Sequence, residues 1–367
     1  MNKKKNLIYI TETSIPTKSA NMINSLKFCD ALSKFYNINF IVPNNNLEND
    51  KIKEKYNLKN QINFESLINK NIGNFTTRIY FCFKVFLKLF FYKNIEVILS
   101  RSVILSLFMT FFNIKNVLEI HHSLQSFSKI FFNLILFLPQ KKKLNLILLN
   151  KSLVNDLKVF NLNYIILDDG ADFINFISQD KLTKKKTCIY IGSFFKGKGL
   201  EIIKKLSKLL PDFQFHLYGD KESLPKKINC KLNHNIKFYD YVEYSKIPKI
   251  LKNYKVALMP FQAKINARSK NLEISKYISP LKMFDYLAAG KIIIASKLKA
   301  YDHILKNNKN SLLISHNDLN LWKNLIKDVF KNPHKYSKIK YNAKKTAIKY
   351  SWDNRAKKFI NFLDKVY

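Results

Sequence analysis

The sequence predicts an α/β protein made of two parallel-sheet domains, and three observations predict it. Short apolar strand-like runs alternate with helical runs along the whole chain. A length of 367 residues, 47% hydrophobic and 14% aromatic, suffices for two complete cores and excludes a disordered chain. Glycine usage also changes part-way. Gly73 stands alone before Gly170, Gly192, Gly197, Gly199, Gly219 and Gly290, each of which answers a turn or a close backbone approach in so glycine-poor a chain.

Residues 6–10 read as the first strand, followed by a loop over 11–18. Met22, Leu26, Cys29 and Leu32 then form one stripe of a helix. Further strands are expected at 38–42, 95–99, 117–120, 144–149 and 164–167, with 44–75 a loop-rich insertion holding a short strand. The Phe- and Leu-rich runs 79–92, 103–114 and 130–138 fall short of the roughly 20 apolar residues needed to cross a bilayer. Two readings fit them: helices packed on the first sheet, or a basic-apolar surface resting in a membrane interface.

The polar run 179–186 reads as a linker. Beyond it, strands are expected at 188–191, 213–218, 236–239, 256–259, 292–295 and 312–314. Helices are expected at 200–210, 246–254, 279–290, 319–330 and 333–350, with a last one after Trp352. The expected domains are 1–178 and 187–348, with 349–367 a helix that returns to the first domain.

The net charge of +38 suggests nucleic acid, but its make-up does not. Only Arg78, Arg101, Arg268 and Arg355 are arginine, whereas base reading favours the planar guanidinium fork. Attraction to anionic lipid is the milder reading. Cys29, Cys82, Cys188 and Cys230 show no metal-type spacing, and most lie in apolar runs, as in a reducing cytoplasm. Lys3-Lys4-Lys5 leads into only Leu7-Ile8-Tyr9-Ile10, too short an apolar core for a cleavable signal.

The segment 279–290 is the most informative. Ser279 is placed to cap a short helix, Pro280 suits its first position, and Gly290 suits a left-handed end. Such a helix offers unpaired N–H groups at Leu281 and Lys282 to an anion. Asp285 shares their face one turn deeper, where it would repel a phosphate but accept from hydroxyls beside it. Diphosphate on the tip and a ribose against Asp285 describe a nucleotide-sugar; a plain core helix with a solvated Asp285 is the alternative. Gly192 and Gly199 flank a strand-to-helix turn where backbone can approach phosphate, and Lys198 adds a compact cation there.

With these residues the chain resembles the GT-B glycosyltransferases, in particular glycosyltransferase family 4, which are retaining and nucleotide-sugar dependent. The resemblance runs nearly end to end, through Glu119-Ile120-His121, Asp169-Gly170-Ala171-Asp172, 190–199, Tyr218-Gly219-Asp220, 239–242, 279–290 and Tyr350-Ser351-Trp352. It implies two Rossmann-like domains facing across a cleft, the first for the acceptor and the second for the donor. It also implies that Lys198 is the phosphate lysine and that His121, at a strand end, contacts donor sugar or phosphate. Ser19 and Ala20 take the place of a small-residue loop near donor and acceptor, and Tyr241 and Val242 that of a loop at the nucleobase.

Two positions depart from the family pattern. An arginine is common right after the first glycine, where this chain has Ser193; Lys196, Arg268 or Lys282 is left to replace it. Of the family's two glutamates, Asp285 matches the second and Tyr277 occupies the first. Asp168-Asp169 is not a DxD pair, and no metal or other cofactor is expected. There is no GxGxxG after the first strand, which weighs against a dehydrogenase.

The expected function is retaining transfer of a sugar from a nucleotide-diphospho-sugar to a lipid-linked or surface-polysaccharide acceptor, as in lipopolysaccharide or capsule biosynthesis. The expected place is the cytoplasm, as a peripheral protein on the anionic inner face of the membrane, without nucleic-acid partners. The rivals are a GT-B sugar-nucleotide epimerase, which needs no acceptor, and a non-catalytic polyanion binder.

Overall fold

The computed structural model describes residues 4–172, 185–224, 233–267 and 272–367. Arg268, Cys230 and most of the expected linker lie outside these. The chain divides into one unit of Met1–Asp168 plus Trp352–Tyr367 and a second of Asp169–Ser351. Ala171 sides with the second unit because its N–H donates to Tyr350 O at 2.7 Å.

In the first unit β1 (Asn6–Ile10), α1 (Ala20–Leu32), β2 (Asn37–Val42), α2 (Asn49–Tyr56) and β3 (Asn63–Ser66) come first. Then follow α3 (Phe75–Leu89), β4 (Ile95–Ser100), α4 (Val103–Phe111) and β5 (Asn116–Ile120). The run ends with α5 (Ser126–Phe137), β6 (Leu144–Leu148), α6 (Lys151–Leu157) and β7 (Asn163–Ile166). The sheet order is β3-β2-β1-β4-β5-β6-β7, all parallel. Its central strands are buried on both faces, which is why they read as unbroken apolar runs. Polar side chains start the helices. Asn74 Oδ1 accepts from Thr77 N–H at 2.9 Å, and Ser102 Oγ from Leu105 N–H at 3.2 Å. Helix α2 lies inside the expected loop-rich stretch; only Ile52 and Tyr56 of it are buried, too few for a visible period.

The second unit holds β8 (Thr187–Ile191), α7 (Leu200–Leu209), β9 (Gln214–Tyr218), β10 (Ile236–Tyr239), α8 (Ile247–Leu251) and β11 (Val256–Met259). Next come α9 (Leu281–Ala288), β12 (Ile292–Ser296), β13 (Leu312–Ile314), α10 (Leu319–Lys331) and α11 (Ser337–Lys349). This sheet is also parallel, in the order β10-β9-β8-β11-β12-β13. Trp322 and Ile326 of α10, Ile203 and Leu206 of α7, and Phe215 of β9 share its core. The last helix, α12 (Trp352–Val366), belongs to the first unit, where it packs on α1 and β7.

Helix α9 differs from expectation at its start. Pro280 itself is the N-cap, with a helix-compatible φ of −79° but an extended ψ of 124°, and Ser279 makes no cap. Its end is as read. Gly290 has φ +61°, Gly290 N–H donates to Leu287 O and Lys291 N–H to Tyr286 O, a Schellman closure.

Candidate functional site

In the second sheet the strand order reverses between β8 and β11, the point at whose carboxyl edge open α/β sheets bind ligands. Strand β8 runs out at Gly192, whose N–H donates to Tyr218 O at 2.8 Å. Gly192 has φ +138°, and a Cβ on it would lie 2.6 Å from Lys282 Nζ, so glycine is what lets that lysine lie against the turn. Gly199 is left-handed at the N-cap of α7, where a Cβ would strike Pro260 O. Ser193 follows Gly192 and uses its carbonyl to accept from the Tyr190 hydroxyl at 2.7 Å.

The strongest electrostatic feature is a pair of lysines on one aromatic ring. Lys282 Nζ lies 3.5 Å from the Tyr190 centroid and 5.3 Å from that of Phe261; Lys198 Nζ lies 5.5 Å from the same Phe261 centroid. Lys282 Nζ is buried without a hydrogen-bond partner, and so is Ser279 Oγ. Burial pulls Lys198 down to about 8, and burial, then Lys198 itself, pull Lys282 well below the ordinary lysine range. Two desolvated ammonium groups that repel each other form a place for an anion. Of the three cations that could replace an arginine at Ser193, Lys282 is the one beside Gly192; Lys196 is exposed and Arg268 lies outside the described residues. Leu281 and Lys282 also open α9, whose leading N–H groups have no acceptor within the helix.

Asp285 sits one turn further along α9 and is 4% exposed. Its Oδ1 accepts from the Tyr244 hydroxyl at 3.0 Å, so it is held in the core, unlike the solvated carboxylate that was the alternative reading. Burial first, then Asp285, push the Tyr244 hydroxyl well above its usual range and keep it a donor. Tyr241 and Val242 leave β10 at the same carboxyl edge, just before Tyr244. Tyr277 is buried.

The first unit has its own cavity of about 180 Å³ at the carboxyl ends of β1, β4 and β5, again where strand order reverses. Glu12, Arg78, Arg101, His121 and His122 line it. Glu12 pairs with Arg78. His121 Nε2 is 2.7 Å from Glu119 Oε1, which also receives Arg355 Nη2 from α12 at 2.7 Å. The Tyr9 hydroxyl lies 3.0 Å from Glu119 Oε2, and Arg101 donates to Asn21 O and Ser25 Oγ. Burial alone would raise the Glu119 carboxyl; His121, Arg101 and Arg355 outweigh it and hold the group ionised, far below the usual carboxylate range. Burial, then Arg101, lower His121 to about 4 despite Glu119. A neutral imidazole against a carboxylate carries its proton on Nε2, which leaves Nδ1 as an acceptor. His122 is exposed and borders the same cavity; its Nδ1 bonds Ser123 O. Ser19 is spent as the N-cap of α1, accepting from Asn21 N–H, and Ala20 is that helix's first residue. Among the described residues no acidic, His and Cys cluster of metal-binding kind occurs.

Residues 172–346, all within the second unit, match the family model described as Glycosyl transferases group 1. Three solved structures superpose on nearly the whole chain. Anabaena HepE, solved with UDP and glucose, is 11% identical, covers 98% of this chain and 100% of its own, and has a TM-score of 0.73. A glycosyltransferase from Rickettsia africae is 15% identical over 99% and 98%, with a TM-score of 0.75. A sucrose-phosphate synthase from Thermosynechococcus elongatus is 13% identical over 99% of each chain, at 0.71. The fold is GT-B. No curated protein matches the sequence.

Within the GT-B frame, sequence reading missed Glu119 as partner of His121, Arg355 as partner of Glu119, and Tyr244 as partner of Asp285. The first had a signal. Glu119 and His121 are two apart on a strand and so share a face. Arg355 carried the weaker signal of being a rare arginine. Tyr244 carried none, since only the folded chain brings it to α9.

Proposed function

We propose that this GT-B protein moves a sugar from a nucleoside-diphosphate sugar to an acceptor hydroxyl, with retention of configuration and without a metal ion. The observation that carries this reading is the pair Lys198 and Lys282 around Phe261, both lowered by burial and the second with a buried, unpartnered Nζ. Negative charge grows on the diphosphate as the glycosidic bond breaks, and desolvated cations aimed at that charge stabilise it. In this reading Gly192, Ser193, Ser279, Pro280 and Leu281 line the diphosphate, Asp285 takes the ribose, and Tyr241 and Val242 take the base. Ser19 and Ala20 approach donor and acceptor, and His121 accepts from a donor-sugar hydroxyl through Nδ1. The departing phosphate oxygen takes the acceptor's proton on the front face, so no side chain is assigned as general base. Uridine diphosphate sugars are the first donors to test, since Anabaena HepE has been solved with UDP-glucose. A lipid-linked or surface-polysaccharide acceptor at the inner membrane face fits the +38 charge and the apolar helices.

The test is product analysis with a panel of nucleotide sugars. Transfer or slow hydrolysis, reduced roughly 100- to 1,000-fold or more by Lys198→Ala, is expected. Release of no sugar from any donor, or an Lys198→Ala protein as active as wild type, refutes it.

A further inference from the structure

In an all-parallel sheet every helix-to-strand junction lies at the same edge, opposite the carboxyl ends that form the cavity. In the first unit this edge is rimmed by exposed phenylalanine. Phe90 and Phe91 follow α3, Phe111 and Phe112 end α4, Phe137 ends α5, and Phe160 lies between α6 and β7. Phe91 is 79% and Phe137 85% exposed, unusual values for side chains that normally fill cores. Rings tie the junctions together: Phe86 lies 5.3 Å from Phe90 and 5.0 Å from Phe112, which lies 5.2 Å from Phe111. Among the described residues no phenylalanine of the second unit is exposed.

The same junctions are basic. Lys93, Lys141, Lys142, Lys143 and Lys158 lie in them, and no helix-to-strand junction of this unit holds Asp or Glu. Of the acids near this edge, Glu96 and Asp353 are paired with Lys5 and Lys34, while Asp364 lies near Tyr36. The structure assigns this edge as a docking surface for an anionic lipid bilayer. Rings at the tips of several helices enter the headgroup layer while lysines between them meet lipid phosphate. A protein partner of ordinary composition would leave those lysines opposite a surface with few anions; an anionic bilayer supplies them everywhere. The inner faces of the same helices (Phe81, Val85, Leu105) are core, which leaves their tips for lipid. The cavity stands at the far ends of the five-residue strands β1 and β5, about 17 Å of backbone rise from this edge. That height suits an acceptor reaching out from the membrane. The assignment rests on this surface alone and not on the sugar-transfer reading.

The test is flotation of the full chain with vesicles of phosphatidylglycerol and phosphatidylcholine, against phosphatidylcholine alone. Salt-sensitive binding to the anionic vesicles is expected. Each lysine near such a surface is worth roughly five-fold, so Lys141→Glu with Lys142→Glu and Lys143→Glu should weaken binding at least 100-fold. Replacing Phe90, Phe91, Phe111 and Phe112 by Ser should abolish it, with unchanged circular dichroism and an unchanged thermal shift by nucleoside diphosphate. No binding by wild type, or binding untouched in both variants, overturns the assignment. So does a wild-type dimer that the Phe variant turns to monomer without any vesicle binding, which would make the edge a self-association surface.

Discussion

Lys282→Met separates a site from a scaffold, because the two roles move stability in opposite directions. Lys282 Nζ is buried, unpartnered and crowded by Lys198, so the empty protein bears the cost of a lysine kept from water, whether it holds its proton or gives it up. Replacing even a buried ion pair by apolar side chains of similar volume is neutral or stabilising by about 1–4 kcal/mol, and an unpaired lysine has less attraction to lose. The contact with the Tyr190 ring offsets up to about 2 kcal/mol of that. At mid-range, about 2.5 less about 1, the net gain of about 1–2 kcal/mol raises Tm by roughly 2–8 °C for a unit of this size. The bound state moves the other way. A nucleoside diphosphate at about 100 times its Kd stabilises by about 2.7 kcal/mol, and losing a buried charge pair costs about 2–5 kcal/mol of binding. The variant should therefore melt higher when empty and lose its ligand-induced shift. Thermal unfolding with and without uridine diphosphate reads both. A variant that melts lower than wild type and keeps the full shift would refute the reasoning and make Lys282 a structural residue.

Four further outcomes follow from the ionisation states and pairings. Lys198 at about 8 lies below an unfolded lysine, so the unfolded chain holds the extra proton between the two values. Stability of the empty protein rises with pH across that window, while diphosphate affinity falls above pH 8, as melts and titrations at several pH values will show. His121 at about 4 lies below an unfolded histidine, so its contribution is complete above pH 6.5 and is lost as pH falls toward 4. Nitrogen NMR of the resting protein should show a neutral Nε2–H ring at pH 7, released from that tautomer in Glu119→Gln. Arg355→Met removes one partner of a buried pair and should cost about 3–5 kcal/mol in urea unfolding. Tyr244→Phe should cost about 1.5–3 kcal/mol, a hydrogen bond to a charged group, by the same measurement.

The fold was legible because parallel strands buried on both faces leave apolar runs that need no period to be seen. The runs at 292–295 and 144–149 correspond to β12 and β6 within a residue. Helix α2 was not legible, since it buries two side chains and shows chiefly charge. At the site, local chemistry was readable: glycine turns, Lys198, and the short helix with its Gly290 end. What could not be read was pairing across the chain. That Lys282 lies against Gly192, and that Tyr244 holds Asp285, depends on separate loops meeting at one sheet edge. The Ser279 cap failed because the helix begins one residue later than read, with Pro280 rather than Ser279 at the cap position.

The most direct test of the central claim is calorimetric titration of the full chain with uridine diphosphate at pH 8 in two buffers of different ionisation enthalpy. Two lysines depressed by burial, Lys282 by Lys198 as well, should gain protons as the diphosphate arrives. The account predicts net proton uptake on binding, absent when Lys198 and Lys282 are both replaced by Met. Binding with no proton uptake, or equal affinity in the double variant, would contradict it.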